Sequence, residues 1–326
     1  MPDPSTSRDL RLDFFRGVAL IFIFIDHIPE NILSYFTLEA LGFFDAAEVF
    51  IFISGFTAAL VYGRRLVEKG ALYATAQVMR RAWQLYVAHV FLFVIFIAEV
   101  SYTAATFKNP MYNEEMRVAD FLDEPHVAVV QALLLQFQPT FLDILPLYIL
   151  MLVIFPVVLL GAQRHPLLVL APSALLYIAV QVFGIAVPAY PEGHVWYFNP
   201  LAWQFLFVSA ALLGHARTRG QTTLPWARVV FPAAAVIFVA AFLIKLSWTI
   251  HGVWEAFPGL LLKQLWPINK NNLSPLRLVS FYALVVLVVM WVPRDARFLR
   301  TATSPPSPAM ASRASGATAA PPATQP

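Results

Sequence analysis

Four ionisable residues crowd the first apolar stretch of the chain: Asp13, Arg16, Asp26 and His27 all lie in RLDFFRGVALIFIFIDH. A charge in such a stretch costs several kcal/mol if it enters a bilayer, so each is a functional candidate by default. On a helix, the 11-residue separation turns Arg16 and His27 to within about 20° of one another and sets them roughly 16 Å apart along the axis. They share a face and occupy opposite ends of it. Asp13 precedes Arg16 by three residues, a spacing that permits an ion pair. A histidine titrating near neutrality suits a general base for a hydroxyl, and apolar surroundings keep out water that would compete for a transferred group. Such a base needs a neighbour to fix its tautomer. Asp26 is about 100° around the helix and placed badly for this, whereas Asp45 and Glu48 open the next apolar stretch at the depth expected of His27. The plainer readings are a snorkelling anchor for Arg16, headgroup solvation for His27 and a dipole-favoured helix start for Asp45.

Further polar residues recur at the ends of later apolar stretches. Arg80 and Arg81 in RRAWQLYVAHV suit a phosphate-rich donor or simple topology signalling, and His89 lies deeper in the same run. Asp143 stands in FLDILPLY. In WYFNPLAWQ, Trp196, Tyr197, Asn199, Trp203 and Gln204 combine aromatic faces with amides in the way sugar-binding surfaces do, although Trp and Tyr also form the ordinary interfacial belt. The loop INKNNLSPLRL brings Lys270, Asn272 and Arg277, cations and an amide fit for an acidic group on a substrate.

The elements that position these residues are transmembrane helices. Of 326 residues, 59% are apolar or aromatic and 13% are charged, where a soluble domain carries roughly a quarter charged. Eight apolar segments have spanning length, about 12–28, 43–63, 82–102, 141–162, 166–187, 200–215, 226–248 and 276–293, and His126 to Gln138 is too short to cross, suiting a re-entrant or interfacial helix. With the N-terminus inside, fifteen of the 22 Lys and Arg fall in inner loops and five in outer ones, so the bias predicts N-in and C-in. The fold class expected is all-α, a polytopic transmembrane helical bundle with about eight spans. It divides into a cytoplasmic segment 1–11, an integral-membrane domain 12–300 and a disordered Ser/Ala/Pro-rich tail 301–326. Cysteine is absent, which excludes disulfides and thiolate chemistry, and the histidines show no metal-ligand spacing. No bound cofactor or metal is expected. The net charge of +3 comes from arginines beside apolar runs rather than a basic block, so no nucleic-acid partner is expected either.

The stretches RLDFFRGVALIFIFIDHIP, FFDAAEVFIFISGFTAALVYG, RRAWQLYVAHV, LDILPLYI, AYPEGHVWYFNPLAWQ and NKNNLSPLRL, in that order, resemble the OpgC group of the acyltransferase 3 superfamily, whose first span carries an arginine and, 11 residues later, a histidine. The resemblance covers about residues 8–300. It implies a multi-pass protein of the bacterial inner membrane that moves an acyl group, typified by succinyl from succinyl-CoA, from a cytoplasmic acyl-CoA donor to hydroxyls of an osmoregulated periplasmic glucan. Members of the group generally have about ten spans and continue past the position of Arg300 with further hydrophobic helices, so the resemblance also implies a truncated or altered C-terminus here. The competing readings are a proton-coupled transporter of an organic acid or sugar, since intramembrane Asp, Arg and His also mark such pathways, and an inactive remnant. The sequence carries no signal for an oligomeric state.

Overall fold

The computed structural model describes residues 9–221, 227–249, 268–293, 296 and 299. The first eight residues, the 301–326 tail, Trp254 and Trp266 lie outside the described residues.

All eight segments expected from hydropathy are helices, and each starts or stops for a local reason. Helix α1 (Leu10–Asp26) is opened by Asp9, whose side chain accepts from Arg11 N. Helix α2 (Ala46–Lys69) begins with a reciprocal capping box in which Ala47 N donates to Asp45 and Asp45 N donates to Glu48, two first-turn donors that would otherwise lack partners. Gly70, at φ 85°, turns the chain directly into α3 (Ala71–Phe107). Three short helices follow, α4 (Met111–Glu115), α5 (Ala119–Asp123) and α6 (Pro125–Leu133). Next come α7 (Ile144–Arg164) and α8 (Pro166–Phe183), then a two-residue hairpin, β1 (Pro188–Ala189) against β2 (His194–Val195). The chain then forms α9 (Pro200–Thr218), α10 (Ala227–Thr249) and α11 (Pro275–Trp291). Proline stands in the first turn of α6, α8, α9 and α11, where its missing N–H costs nothing.

Five of the described helices, α2, α3, α7, α8 and α10, are long and apolar enough to cross a membrane. Helix α11 is apolar but shorter. Helix α3 departs most from expectation: it has 37 residues, about 55 Å of helix against roughly 30 Å of hydrocarbon, where the hydropathy places 82–102. Between Ala71 and Phe107 there is neither glycine nor proline, so the backbone has no reason to stop where the polarity changes. The stretch from His126 to Gln138 forms only the nine-residue α6, ending in a turn with Leu135 at φ 62°.

The centre of the bundle is the α2–α9 pair. A Cβ on Gly55 would run into the Phe207 carbonyl oxygen, and one on Gly214 into that of Phe56, so the two backbones touch directly, as small residues permit inside membranes. Around this pair Ile51, Phe155, Trp203, Phe207 and Phe281 are fully buried. Helix α7 packs on α3, α8 on α9, α1 chiefly on α2, and α10 on α11. A second apolar cluster, Phe93, Ile97, Val118 and Phe137, joins the far half of α3 to the α4–α6 segment. The long helices alternate in direction. The end of α1, the starts of α2, α7, α9 and α11 and the hairpin therefore meet at one end of the bundle.

Candidate active site

At that end lies a cavity of about 560 Å³. His27, Asp26, Asp45, Asp143, Tyr197, Lys270 and Arg277 line it, so seven residues separated by up to 251 positions in sequence share one space. His27 is the residue that closes α1, its N–H bonded to Ile23 O. Its ring lies against Phe141 with centroids 4.2 Å apart, and it is exposed to the cavity. No described side chain hydrogen-bonds its imidazole, which leaves both nitrogens for what enters the cavity.

The carboxylates expected to orient His27 are engaged elsewhere. Arg277 Nε donates to Glu48 Oε1 at 2.7 Å and its Nη2 to Asp45 Oδ2 at 3.0 Å. Lys270 Nζ reaches the same Asp45 oxygen at 2.7 Å. Two acids from the start of α2 thus face two cations from the start of α11 and the loop before it, and Glu48 has no solvent exposure. Four charges in such a place persist because they are matched in number and hydrogen-bonded. Burial alone would pull the Lys270 ammonium below its ordinary value, but Asp45, Tyr197 and Glu48 together outweigh this and the net shift is upward. Lys270 is a permanent cation. Burial pushes the Tyr197 hydroxyl up, so it remains a proton donor, and the Lys270 ammonium stands over the Tyr197 ring, 5.8 Å from its centroid.

The amides and indoles expected to meet substrate divide into two groups. Tyr197 faces the cavity. Asn199, Trp203, Gln204 and Asn272 do not, because their polar atoms are committed to the scaffold. Asn199 caps α9, donates to Ile185 O and to Asn272 Oδ1 at 2.9 Å, and its N–H bonds Asn271 O. Trp203 Nε1 donates to Lys270 O and Asn271 O. Gln204 pairs with Ser173, and Trp196 is buried. Asn199 and Trp203, together with Tyr177, which donates to Leu273 O, and Gln181, which donates to Asn272 O, clamp the 269–274 loop. What they position is Lys270.

The arginines assigned to a donor stand apart from this cavity. Arg16 Nη2 donates to Thr57 Oγ1 of α2 at 2.9 Å rather than lining it, Asp13 lies in the first turn of α1, and Arg80 and Arg81 are exposed on α3. His89 is fully buried in α3, and neither ring nitrogen is bonded among the described residues. The sequence reading missed several contributors to the cavity wall, among them Glu39, Arg117, Gln138, Thr140 and Phe141. The signal in the sequence was the polar interruption QFQPTF just before Asp143, whereas nothing local announced Arg117, which the structure holds in a left-handed turn at φ 58°. No group of three or more metal-ligating side chains occurs among the described residues.

The family model for the OpgC protein matches residues 8–311, nearly the whole chain. The chain belongs to the OpgC family. That membership suggests an acyltransferase of the membrane, and five membrane-length apolar helices agree with the second part. No curated protein and no solved structure matches the chain. In this OpgC-family chain the histidine that closes α1 opens onto the charged cavity, and the arginine eleven residues earlier does not.

Proposed function

We propose that this OpgC-family protein is an O-acyltransferase of the bacterial inner membrane. Its donor is an acyl-CoA, succinyl-CoA the type case, used from the cytoplasm, and its acceptors are hydroxyls of a periplasmic glucan. The chain crosses eight times with both ends inside, and the His27 cavity faces the periplasm. The charge asymmetry of the loops supports that orientation.

The observation that carries the reading is His27, an imidazole without an internal partner among the described residues, opening onto a cavity with lysine and arginine in its wall. A neutral imidazole takes the proton of a sugar hydroxyl as its oxygen attacks the thioester carbonyl. The new C–O bond forms, and the carbonyl oxygen becomes an oxyanion favoured by the positive field of Lys270. On collapse the C–S bond breaks and the leaving thiolate recovers the proton from the imidazolium. Asp143 and Tyr197, on the same wall, bind sugar hydroxyls. Arg16, about 16 Å below, serves the donor. Asp45 and Glu48 hold the two cations in place instead of orienting the base.

Mass spectrometry of periplasmic glucans from cells with and without the protein tests this, because it reports acceptor and acyl mass together. An acyl substituent present only with the protein is expected. An unchanged pattern, with substrate uptake into vesicles instead, would replace the enzyme by a transporter.

A further inference from the structure

A second cavity, of about 340 Å³, runs lengthwise between α1, α2, α9 and α11. From Leu12 to Phe22 its α1 wall extends about 15 Å, and its other walls include Phe56 and Val285. Polar side chains appear only at the end nearest the N-terminus: Asp9, Arg11 and Arg217. Arg11 is neutralised there by Asp9 at 2.8 Å and ties α1 to α11 through Val292 O. Arg217 is half-buried, and no described residue pairs with its guanidinium. The groove is thus an apolar slot ending in a cation with no partner among the described residues, between helices of which α2 is of membrane-crossing length.

An apolar slot of this size gains little from water, which would find few polar partners along it. The walls gain dispersion contacts from an apolar chain. We propose that the groove binds one membrane phospholipid with an anionic headgroup, an acyl chain lying along Phe15, Phe22, Phe56 and Val285 and the phosphate region meeting Arg217. A guanidinium suits a phosphate by its planar fork of donors. The thioester arm of a coenzyme fits worse, since its amides would be desolvated against walls that offer them no hydrogen bond. Bound there, the lipid fills the gap between α1 and α11 and braces the helix that carries Arg277 against the helix that ends at His27. The site stands independently of the acyl-transfer reading.

The test uses the full-length protein in phosphatidylcholine nanodiscs with phosphatidylglycerol carrying a photoactivatable group near its acyl terminus, adducts being mapped by mass spectrometry. Adducts concentrate on Phe15, Phe22, Phe56 and Val285, and unlabelled phosphatidylglycerol competes about fivefold better than phosphatidylcholine, the difference one arginine makes to an anionic lipid. Arg217→Gln removes that preference, and Val285→Trp, which fills the slot, removes the groove adducts while leaving those on the outward faces of α3 and α8. Adducts spread evenly over α3, α8 and the groove would overturn the proposal, since the lipid would then be annular. Protection by succinyl-CoA without protection by phosphatidylglycerol would overturn it in favour of a donor channel. Where Val285→Trp fails to insert, the headgroup selectivity of Arg217→Gln alone decides, and an unchanged preference sinks the assignment.

Discussion

Glu48 and Arg277 stand 229 positions apart in sequence and meet at 2.7 Å, each in the first turn of its helix. The contact joins the start of α11 to the start of α2, above the packing of Phe281 on Phe52 and the bond between Tyr282 and Ser209. Replacing Arg277 by methionine strands two carboxylates beside one lysine, a loss of about 3–5 kcal/mol for a broken buried pair. The expected result is a large fall in melting temperature in detergent. In Glu48→Gln/Arg277→Met, with one acid and one base left, more than half of that loss should return. A double variant no more stable than Arg277→Met would show that the pair does not hold α11.

For His27→Ala the expectation is the reverse: catalysis lost and stability kept. Removal of a general base lowers the rate about 10² to 10⁴-fold, while an exposed ring touching Phe141 should matter by no more than about 0.5 kcal/mol. Radiolabelled acyl transfer by purified membranes, normalised to inserted protein, measures the first, and thermal unfolding the second. Near-parental transfer would retire His27 as the base.

Arg16 is tied to Thr57 rather than to the cavity, so Arg16→Lys should alter donor use alone. Lysine keeps the charge and loses the planar fork. Transfer should fall at low acyl-CoA, recover partly as acyl-CoA rises, and show an unchanged dependence on glucan. Equal behaviour at every donor concentration would make Arg16 an anchor only.

Gly55 and Gly17 give a matched pair of alanine substitutions. At Gly55 the new methyl collides with the Phe207 carbonyl, so Gly55→Ala should destabilise by about 1–3 kcal/mol through forced separation of α2 from α9. Nothing lies within 4 Å at Gly17, and Gly17→Ala should stabilise α1 by up to about 1 kcal/mol. Melting temperatures that move together would contradict the close approach.

The helices were legible in the sequence because long apolar runs have few other uses, and the length of α3 was not, because hydropathy reports where the polarity changes while a helix ends only at a Gly, a Pro or a cap. The site was legible in its residue types more than in their tasks. His27, Asp143, Tyr197, Lys270 and Arg277 meet as their positions beside apolar runs imply. An amide that feeds a loop backbone looks the same in sequence as one that meets a sugar, and Asn199 finds Asn272 only across 73 positions. The commitment of Asp45 and Glu48 was half readable: DAAE at the start of an apolar run is a capping box, which already occupies part of each carboxylate, but nothing local announces Lys270 or Arg277.

The contact of α2 with α9 at Gly55 and Gly214 also sets where the protein can give way. Two backbones in contact leave no side chains between them to change rotamer, so Asp45 and Asn199, at the heads of these helices, ride on a single plate. Any opening of the cavity at His27 must then come from parts outside that plate. Those parts are α1, the paired α10 and α11, and the α4–α6 segment with the far half of α3. Relative motion is thereby left to the periphery, around a centre held by direct backbone contact.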